Sequence, residues 1–199
     1  MLVVDVVLET YDVLEFTAWP IAEPSSDRRL VLSGQMSPAE VGTAIAVIFS
    51  YNRISVDSVR DLTADLLDEH LAEAEALIAP GGLCFRDTTT HVQVAPGCCF
   101  GLENWRDWWD VARGQDLWLG HDPTPQLEHH DQAICLRQSD QDDSQFIEIP
   151  LNELPSLLIS AQQQLSSFLT LVQQWTTNTA PSLTNRLVAA LDEHLRINK

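Results

Sequence analysis

Apolar residues occur in short runs near the start and in the middle of the chain, and they recur at helical spacing over the other segments. Short runs rich in valine, leucine and isoleucine that end at proline, glycine or polar clusters are typical of β-strands. This pattern predicts strands at residues 2–8, 13–19, 28–32, 83–86, 91–94, 127–128, 133–137 and 145–149.

Apolar residues spaced three and four positions apart predict helices over most of the remaining chain. The first begins at Ser37, because Ser37 and Glu40 have the spacing of a capping box and Pro38 lies where its missing N–H costs nothing. Its apolar positions continue to Phe49, on more than one face, which predicts a well-buried helix. Further helices are predicted at residues 57–78, 102–112, 151–175 and 181–197.

The order of these elements predicts the fold class. Strands cluster near the start and in the middle, and helices follow each cluster, so regular β-α-β alternation is not expected. We therefore predict an α+β fold with a mainly antiparallel sheet packed against several amphipathic helices and a helical C-terminal part. Residues 1–199 form a single domain in this interpretation. A subdivision near residue 150, with 151–199 as a helical hairpin on the sheet, is the alternative.

Charge is the largest departure from average composition. The 199 residues include 11 Lys+Arg and 29 Asp+Glu, which gives a net charge of −18. Such a chain repels nucleic acid and anionic membranes and attracts basic partners, although solubility alone also explains the charge. The N-terminal residues lack a basic segment followed by an apolar one, and no long apolar run is present, so we expect a cytoplasmic protein.

The segment between residues 97 and 130 holds most of the candidate chemistry. Four tryptophans near its middle are more typical of a packed centre than of a ligand platform. Its cysteines and histidines could supply metal ligands by type, but adjacent side chains tend to diverge, and no spacing is diagnostic. No cofactor is therefore predicted. The candidate metal ligands are Cys98, Cys99, His121, His129 and His130.

A cysteine nucleophile is an alternative use of the same segment. Cys98 or Cys99 precedes the predicted helix at 102–112, whose dipole could lower a thiol pKa. His121 could act as the base and Asp122 as its orienting group, although sequence neighbours seldom form that pair. Small buried thiols in a tight turn are the structural alternative, and the other cysteines, Cys84 and Cys135, are predicted to belong to the core.

The predicted helix at residues 57–78 is strongly acidic. A solvated helix face is the default interpretation of such a charge run. The more specific hypotheses are a docking face for a basic protein or a mimic of nucleic acid phosphates, and long-range attraction would then speed association at low salt. The candidate partner-binding residues are Asp61, Asp65, Asp68, Glu69 and Glu73.

Two segments carry a recognisable pattern: Gly-Cys-Cys-Phe-Gly-Leu-Glu-Asn-Trp-Arg at residues 97–106 and Trp-Leu-Gly-His-Asp-Pro at 118–123. This pattern resembles that of uncharacterised bacterial proteins, and the resemblance implies a bacterial source. By size and charge alone, the chain is also similar to immunity proteins that neutralise toxins.

These observations favour a non-enzymatic, immunity-like domain that binds a basic protein. The alternative is a small enzyme or metal-binding protein centred on Cys98, Cys99, His121 and Asp122.

Overall fold

Two antiparallel sheets and five α-helices form the protein, whose computed structural model describes residues 1–10, 13, 16–74, 76–139 and 145–198. The prediction of an α+β class is confirmed, with two sheets in place of one. The strands are β1 (Leu2–Glu9), β2 (Arg29–Leu32), β3 (Gly81–Asp87), β4 (Gln93–Val94), β5 (Gln126–His129), β6 (Ala133–Arg137) and β7 (Phe146–Pro150). The helices are α1 (Pro38–Tyr51), α2 (Ala64–Glu73), α3 (Trp108–Val111), α4 (Leu154–Thr179) and α5 (Thr184–His194).

The first sheet has the order β2-β1-β3-β4, with β1 in its interior. Strand β3 pairs with β1 along nearly its whole length, from Leu2 to Leu8, but β2 pairs only with Val6 to Glu9. The first half of β1 therefore has no strand on its β2 side. The second sheet has the order β5-β6-β7, and its central strand β6 is buried from Ala133 to Leu136.

A glutamine of α4 pairs with the backbone of β1 where β2 ends, at Val4 and Val6. The Gln164 side chain donates from Nε2 to the Val4 carbonyl at 2.8 Å and accepts from the Val6 amide at 3.1 Å. One carboxamide thus reproduces the donor–acceptor pair that a neighbouring strand would present. Because both bonds reach from a helix to a strand, they also fix the position of α4 along the sheet.

The predicted strand at residues 13–19 is wrong for the described residues 13 and 16–19, which are not in a strand. Trp19 explains the difference, because its indole Nε1 donates to the Gly42 carbonyl of α1 at 2.8 Å. Its ring also packs edge-on against Phe16 and Trp175. These contacts hold the segment against helices and away from a sheet edge. Residues 11, 12, 14 and 15 lie outside the described residues.

Helix α1 begins as its sequence predicts. The Ser37 hydroxyl accepts from the Glu40 amide at 3.3 Å, and the Glu40 carboxylate accepts from the Ser37 amide at 2.7 Å. Every residue from Val41 to Phe49 is buried, which confirms that this helix lies in the interior with contacts on several faces.

The predicted helix at residues 57–78 is too long. The chain forms one 3₁₀ turn at Val59–Asp61 and then α2, because Thr63 caps a second start by accepting from the Leu66 amide at 3.2 Å. Beyond α2 the chain is no longer helical at Ile78, whose backbone N–H and C=O both bond to the Asn52 carboxamide at 2.9 and 2.6 Å. That pairing replaces the last helical turns.

The predicted helix at residues 102–112 is also shorter, with a 3₁₀ segment at Leu102–Asp107 that leads into α3. The expected packed centre is confirmed for Trp105 and Trp108, which are fully buried. The indole of Trp105 donates to the Leu195 carbonyl at 2.8 Å, and Trp108 packs against Phe85. The expectation that the tryptophans form a packed centre is wrong for Trp118, which is 59% exposed.

The C-terminal helices α4 and α5 lie close to their predicted positions and pack on each other, and α4 also contacts β1 and α1. One cluster of buried apolar side chains runs from Val4 to Ile197 and includes residues on both sides of residue 150. The single domain over residues 1–199 stays a prediction. In the described part of the chain, no helix combines the length and the apolar character needed to cross a membrane.

Replacement of Gln164 by leucine should destabilise the protein by about 2 kcal/mol, because it leaves a backbone N–H and a C=O of β1 unpaired at a partly buried position. Urea-induced unfolding, followed by circular dichroism, measures the change. Gln163→Leu is the matched control: Gln163 is exposed on the same helix, and its replacement should change stability by less than about 0.5 kcal/mol. Equal effects of the two substitutions would contradict the pairing role of Gln164.

Candidate functional site

Two loops cross at the centre of the candidate segment and bind each other through their backbones. The Gly97 amide donates to the Leu119 carbonyl at 2.8 Å. Cys98 and His121 exchange two backbone bonds, at 2.5 Å from the Cys98 amide and at 3.0 Å from the His121 amide. This short antiparallel bridge joins two segments that are more than twenty residues apart in sequence.

Glycine is required at the crossing point of the two loops. A Cβ atom on Gly97 would lie 2.1 Å from the Pro123 carbonyl oxygen. Gly120 has φ +95°, and a Cβ atom there would lie 2.5 Å from the Gly97 carbonyl oxygen. A side chain at either position would push the backbones apart. The close approach of the two backbones therefore requires glycine at both positions.

The two adjacent cysteines present their sulfur atoms together. Cys98 Sγ and Cys99 Sγ lie 3.5 Å apart, and both residues are exposed. The expectation that adjacent side chains diverge is wrong here, because Cys99 has φ +65°. Successive side chains point to opposite sides only in extended backbone, and a left-handed residue removes that alternation.

His121 is the third member of the group. Its ring and the two thiols offer ligand atoms that all lie within 4.8 Å of one another. The Nδ1 atom of His121 lies 3.0 Å from Asp122 Oδ2, so the expectation that these neighbours do not pair is also wrong. A carboxylate that accepts a hydrogen bond from Nδ1–H holds the tautomer in which Nε2 carries the lone pair, and that tautomer can ligate a metal.

The electrostatics of Cys98 disfavour a nucleophile. A hydrogen bond with the Cys99 thiol, desolvation and the nearby Glu9 carboxylate raise the pKa of the Cys98 thiol above its usual value. The expected lowering by a helix dipole is wrong at Cys98, since the segment that follows is a 3₁₀ turn starting only at Leu102. A raised pKa leaves less thiolate at neutral pH, and the thiolate is the nucleophilic form.

A small cavity of about 320 Å³ opens beside Cys98. Its walls carry charges of both signs, with two arginines on β2 and the residue before it, and three carboxylates around them. The lining residues are Glu9, Asp27, Arg28, Arg29, Pro96, Cys98, Asp122 and Pro123. A second cavity, of about 750 Å³, lies between α1 and α4 against Trp19 and Trp175, and it is mostly apolar.

The remaining metal candidates lie elsewhere and do not join Cys98. His129 Nε2 lies 3.1 Å from the Gln115 carbonyl oxygen. His130 instead groups with Glu128 and Cys135, and their ligand atoms all lie within 4.8 Å of one another. Cys135 is buried, as predicted for a core residue, but it is also part of this polar group. The sequence offered a weak signal here, a glutamate and a histidine two positions apart.

The five acidic candidates divide into two groups. Asp61 accepts from the Ser58 amide at 2.8 Å and Asp68 pairs with Arg186, so both contribute to the fold. The other three are exposed on α2 at four-residue spacing, and they therefore share one side of the helix. These three residues, Asp65, Glu69 and Glu73, form what we term the acidic stripe.

The site must be interpreted from its own geometry, because no protein-family model, curated protein or solved structure matches this chain. The structure brings together the two segments of the sequence pattern, residues 97–106 and 118–123, at the backbone crossing. Both cysteines come from the first segment, and His121 and Asp122 come from the second.

Native Cys98 should react with iodoacetamide at pH 7 more slowly than an unfolded cysteine does, because its raised thiol pKa reduces the thiolate fraction. The rate should rise steadily as the pH is increased above 7. Peptide mapping by mass spectrometry gives the rate for each cysteine, and the buried Cys84 provides the slow reference. Alkylation of Cys98 at pH 7 faster than that of the urea-unfolded protein would contradict this interpretation and revive a nucleophilic role.

Proposed function

We propose that this protein binds a thiophilic metal ion, Zn²⁺ or Cu⁺, through Cys98, Cys99 and His121. The observation that carries the proposal is the convergence of two thiols and one imidazole within 4.8 Å from two separate loops. Thiolate and imidazole are the ligands that these ions prefer. Three protein donors leave a coordination position open to solvent or to a further ligand.

Carboxylates near the three donors favour a cation, and they outnumber the two arginines of the cavity beside Cys98. The carboxylate of Glu9 acts on Cys98 and raises its pKa, and the same negative charge attracts a metal ion. The whole chain carries a net charge of −18, which raises the local concentration of cations. The carboxylate of Asp122 would orient the His121 ring as such partners do at metal centres.

Removal of both thiols should abolish one equivalent of binding. In an anaerobic titration against a chromophoric chelator, with Zn²⁺ and Cu⁺ in separate experiments, we expect Cys98→Ser/Cys99→Ser to lose one equivalent relative to the unaltered protein. His121→Asn should weaken the same equivalent by about tenfold or more. Affinity should fall as the pH is lowered, because protons compete for a thiol whose pKa is raised.

His91→Asn is the matched histidine control, since His91 is exposed and lies outside the group. It should leave the stoichiometry and the affinity unchanged. Circular dichroism of each variant verifies that the fold persists. If the double serine variant binds as many equivalents of both ions as the unaltered protein, the proposal is wrong.

A second candidate function is the binding of a basic protein by a non-enzymatic, immunity-like domain. The acidic stripe favours it, because three exposed carboxylates follow one another on α2 within a chain of net charge −18. Like charges four residues apart destabilise a helix slightly, so the stripe has a small cost that a basic partner would offset. Attraction of this kind is strong at low salt and is screened at high salt. In this proposal, the protein binds its partner in a bacterial cytoplasm.

Reversal of the stripe by Asp65→Lys/Glu69→Lys/Glu73→Lys should abolish capture of a basic protein from lysate of the host at low salt. The capture by unaltered protein should also weaken as salt rises. Quantitative mass spectrometry of the bound fraction measures both effects. Asp61 and Asp68 are left unchanged in this variant, because they stabilise the fold.

The control carries the same change of net charge at three exposed acidic residues outside α2, in the variant Glu23→Lys/Asp131→Lys/Glu153→Lys. It should retain the salt-sensitive partner. If both variants lose the captured protein equally, the net charge of the chain alone determines the binding. That result would contradict a docking face on α2.

A further inference from the structure

The hairpin of β5 and β6 places a second set of donors on one face of the second sheet. Glu128 lies directly opposite Cys135 in the strand register. His130 follows two residues after Glu128, and its amide donates to the Ala133 carbonyl at 2.8 Å, which closes the hairpin. His130 lies just beyond the end of β5, and its ring offers a ligand atom within 4.8 Å of those of Glu128 and Cys135.

The donors of this face differ from the residues that build the core. Ile134 and Leu136, on either side of Cys135, belong to the main apolar cluster, and Cys135 does not. Cys135 is nevertheless only 4% exposed. On its other side it faces Glu148 of β7. Cys135 therefore lies between two glutamates in the strand register.

The charges of this group suit a cation. The carboxylates of Glu128 and Glu148 bring negative charge close to Cys135, while Arg137 brings a positive charge. The Arg137 guanidinium is 3.9 Å from Glu128 and lies over the Phe146 ring, so it only partly balances the two carboxylates. A thiolate, an imidazole and a carboxylate together form a donor set that Zn²⁺ accepts.

We propose that Glu128, His130 and Cys135 form a second metal site, specific for a borderline divalent cation of the Zn²⁺ type and separate from the Cys98, Cys99 and His121 site. The geometry behind this proposal is the mutual approach of three ligand atoms within 4.8 Å, produced by the register of β5 and β6. This site has one soft thiolate donor and one hard carboxylate donor, whereas the first site has two thiolates. It therefore favours Zn²⁺ over the softer ion Cu⁺. The inference does not depend on the first site.

The test uses the full chain with Cys98→Ser/Cys99→Ser, in which the first site is removed, and Co²⁺ as a spectroscopic probe for Zn²⁺. We expect one equivalent of Co²⁺ to bind with a thiolate-to-cobalt charge-transfer band, and Zn²⁺ to displace it. His130→Asn in the same background should weaken binding by about tenfold or more. Glu128→Gln should do the same, and Cys135→Ser should abolish the charge-transfer band.

His129→Asn is the control, because His129 lies next to His130 but on the opposite face, near the Gln115 carbonyl. It should bind Co²⁺ with unchanged affinity. Because His130 and Glu128 are exposed, their replacement leaves the core intact, and circular dichroism verifies this. Absence of the charge-transfer band in the starting variant, or equal binding by His130→Asn and His129→Asn, would overturn the second site. Neither result tests the first site. That site is tested by the equivalent of metal ion that the Cys98→Ser/Cys99→Ser variant loses relative to the unaltered protein.

Discussion

The fold depends on the pairing of the β1 backbone along both of its edges. This strand lies inside the first sheet, and a buried amide or carbonyl without a partner would cost about 1–3 kcal/mol. Strand β3 satisfies one edge, whereas β2 covers only the second half of the other. The Gln164 carboxamide supplies the missing pair and thereby fixes α4, the longest helix, against the sheet. The positions of α1 and α5 follow, because both pack on α4.

A second backbone contact, between the loops around Gly97 and Gly120, has the same role for the candidate site. The two glycines let the chains approach until Cys98 and His121 share backbone hydrogen bonds. Donors from distant parts of the sequence are thus held by main-chain bonds and not by flexible side chains. In the metal site that we propose, such a frame would keep the backbones of the donor residues close together before the ion arrives.

The charge of the chain is divided among different tasks. Some carboxylates serve the fold, such as Asp61 in its capping box and Asp68 in its ion pair with Arg186. Others lie beside thiols, as Glu9 does near Cys98 and Glu128 near Cys135, where they raise thiol pKa values and favour cations. The acidic stripe on α2 is exposed, and it is the part of the negative charge that we propose for contact with a basic partner.

The sequence by itself determined the α+β class, most strand positions, the start of α1 and the segment that holds the candidate site, because these follow from periodicity, capping and residue type. Tertiary structure alone decided where helices end, as at Ile78, whose backbone bonds to Asn52. It also decided which donors meet. Cys98 joins Cys99 and His121 through a positive φ and a loop crossing, whereas His130 joins Cys135 through strand register. These contacts join residues that are distant in sequence, and local patterns do not encode such distances.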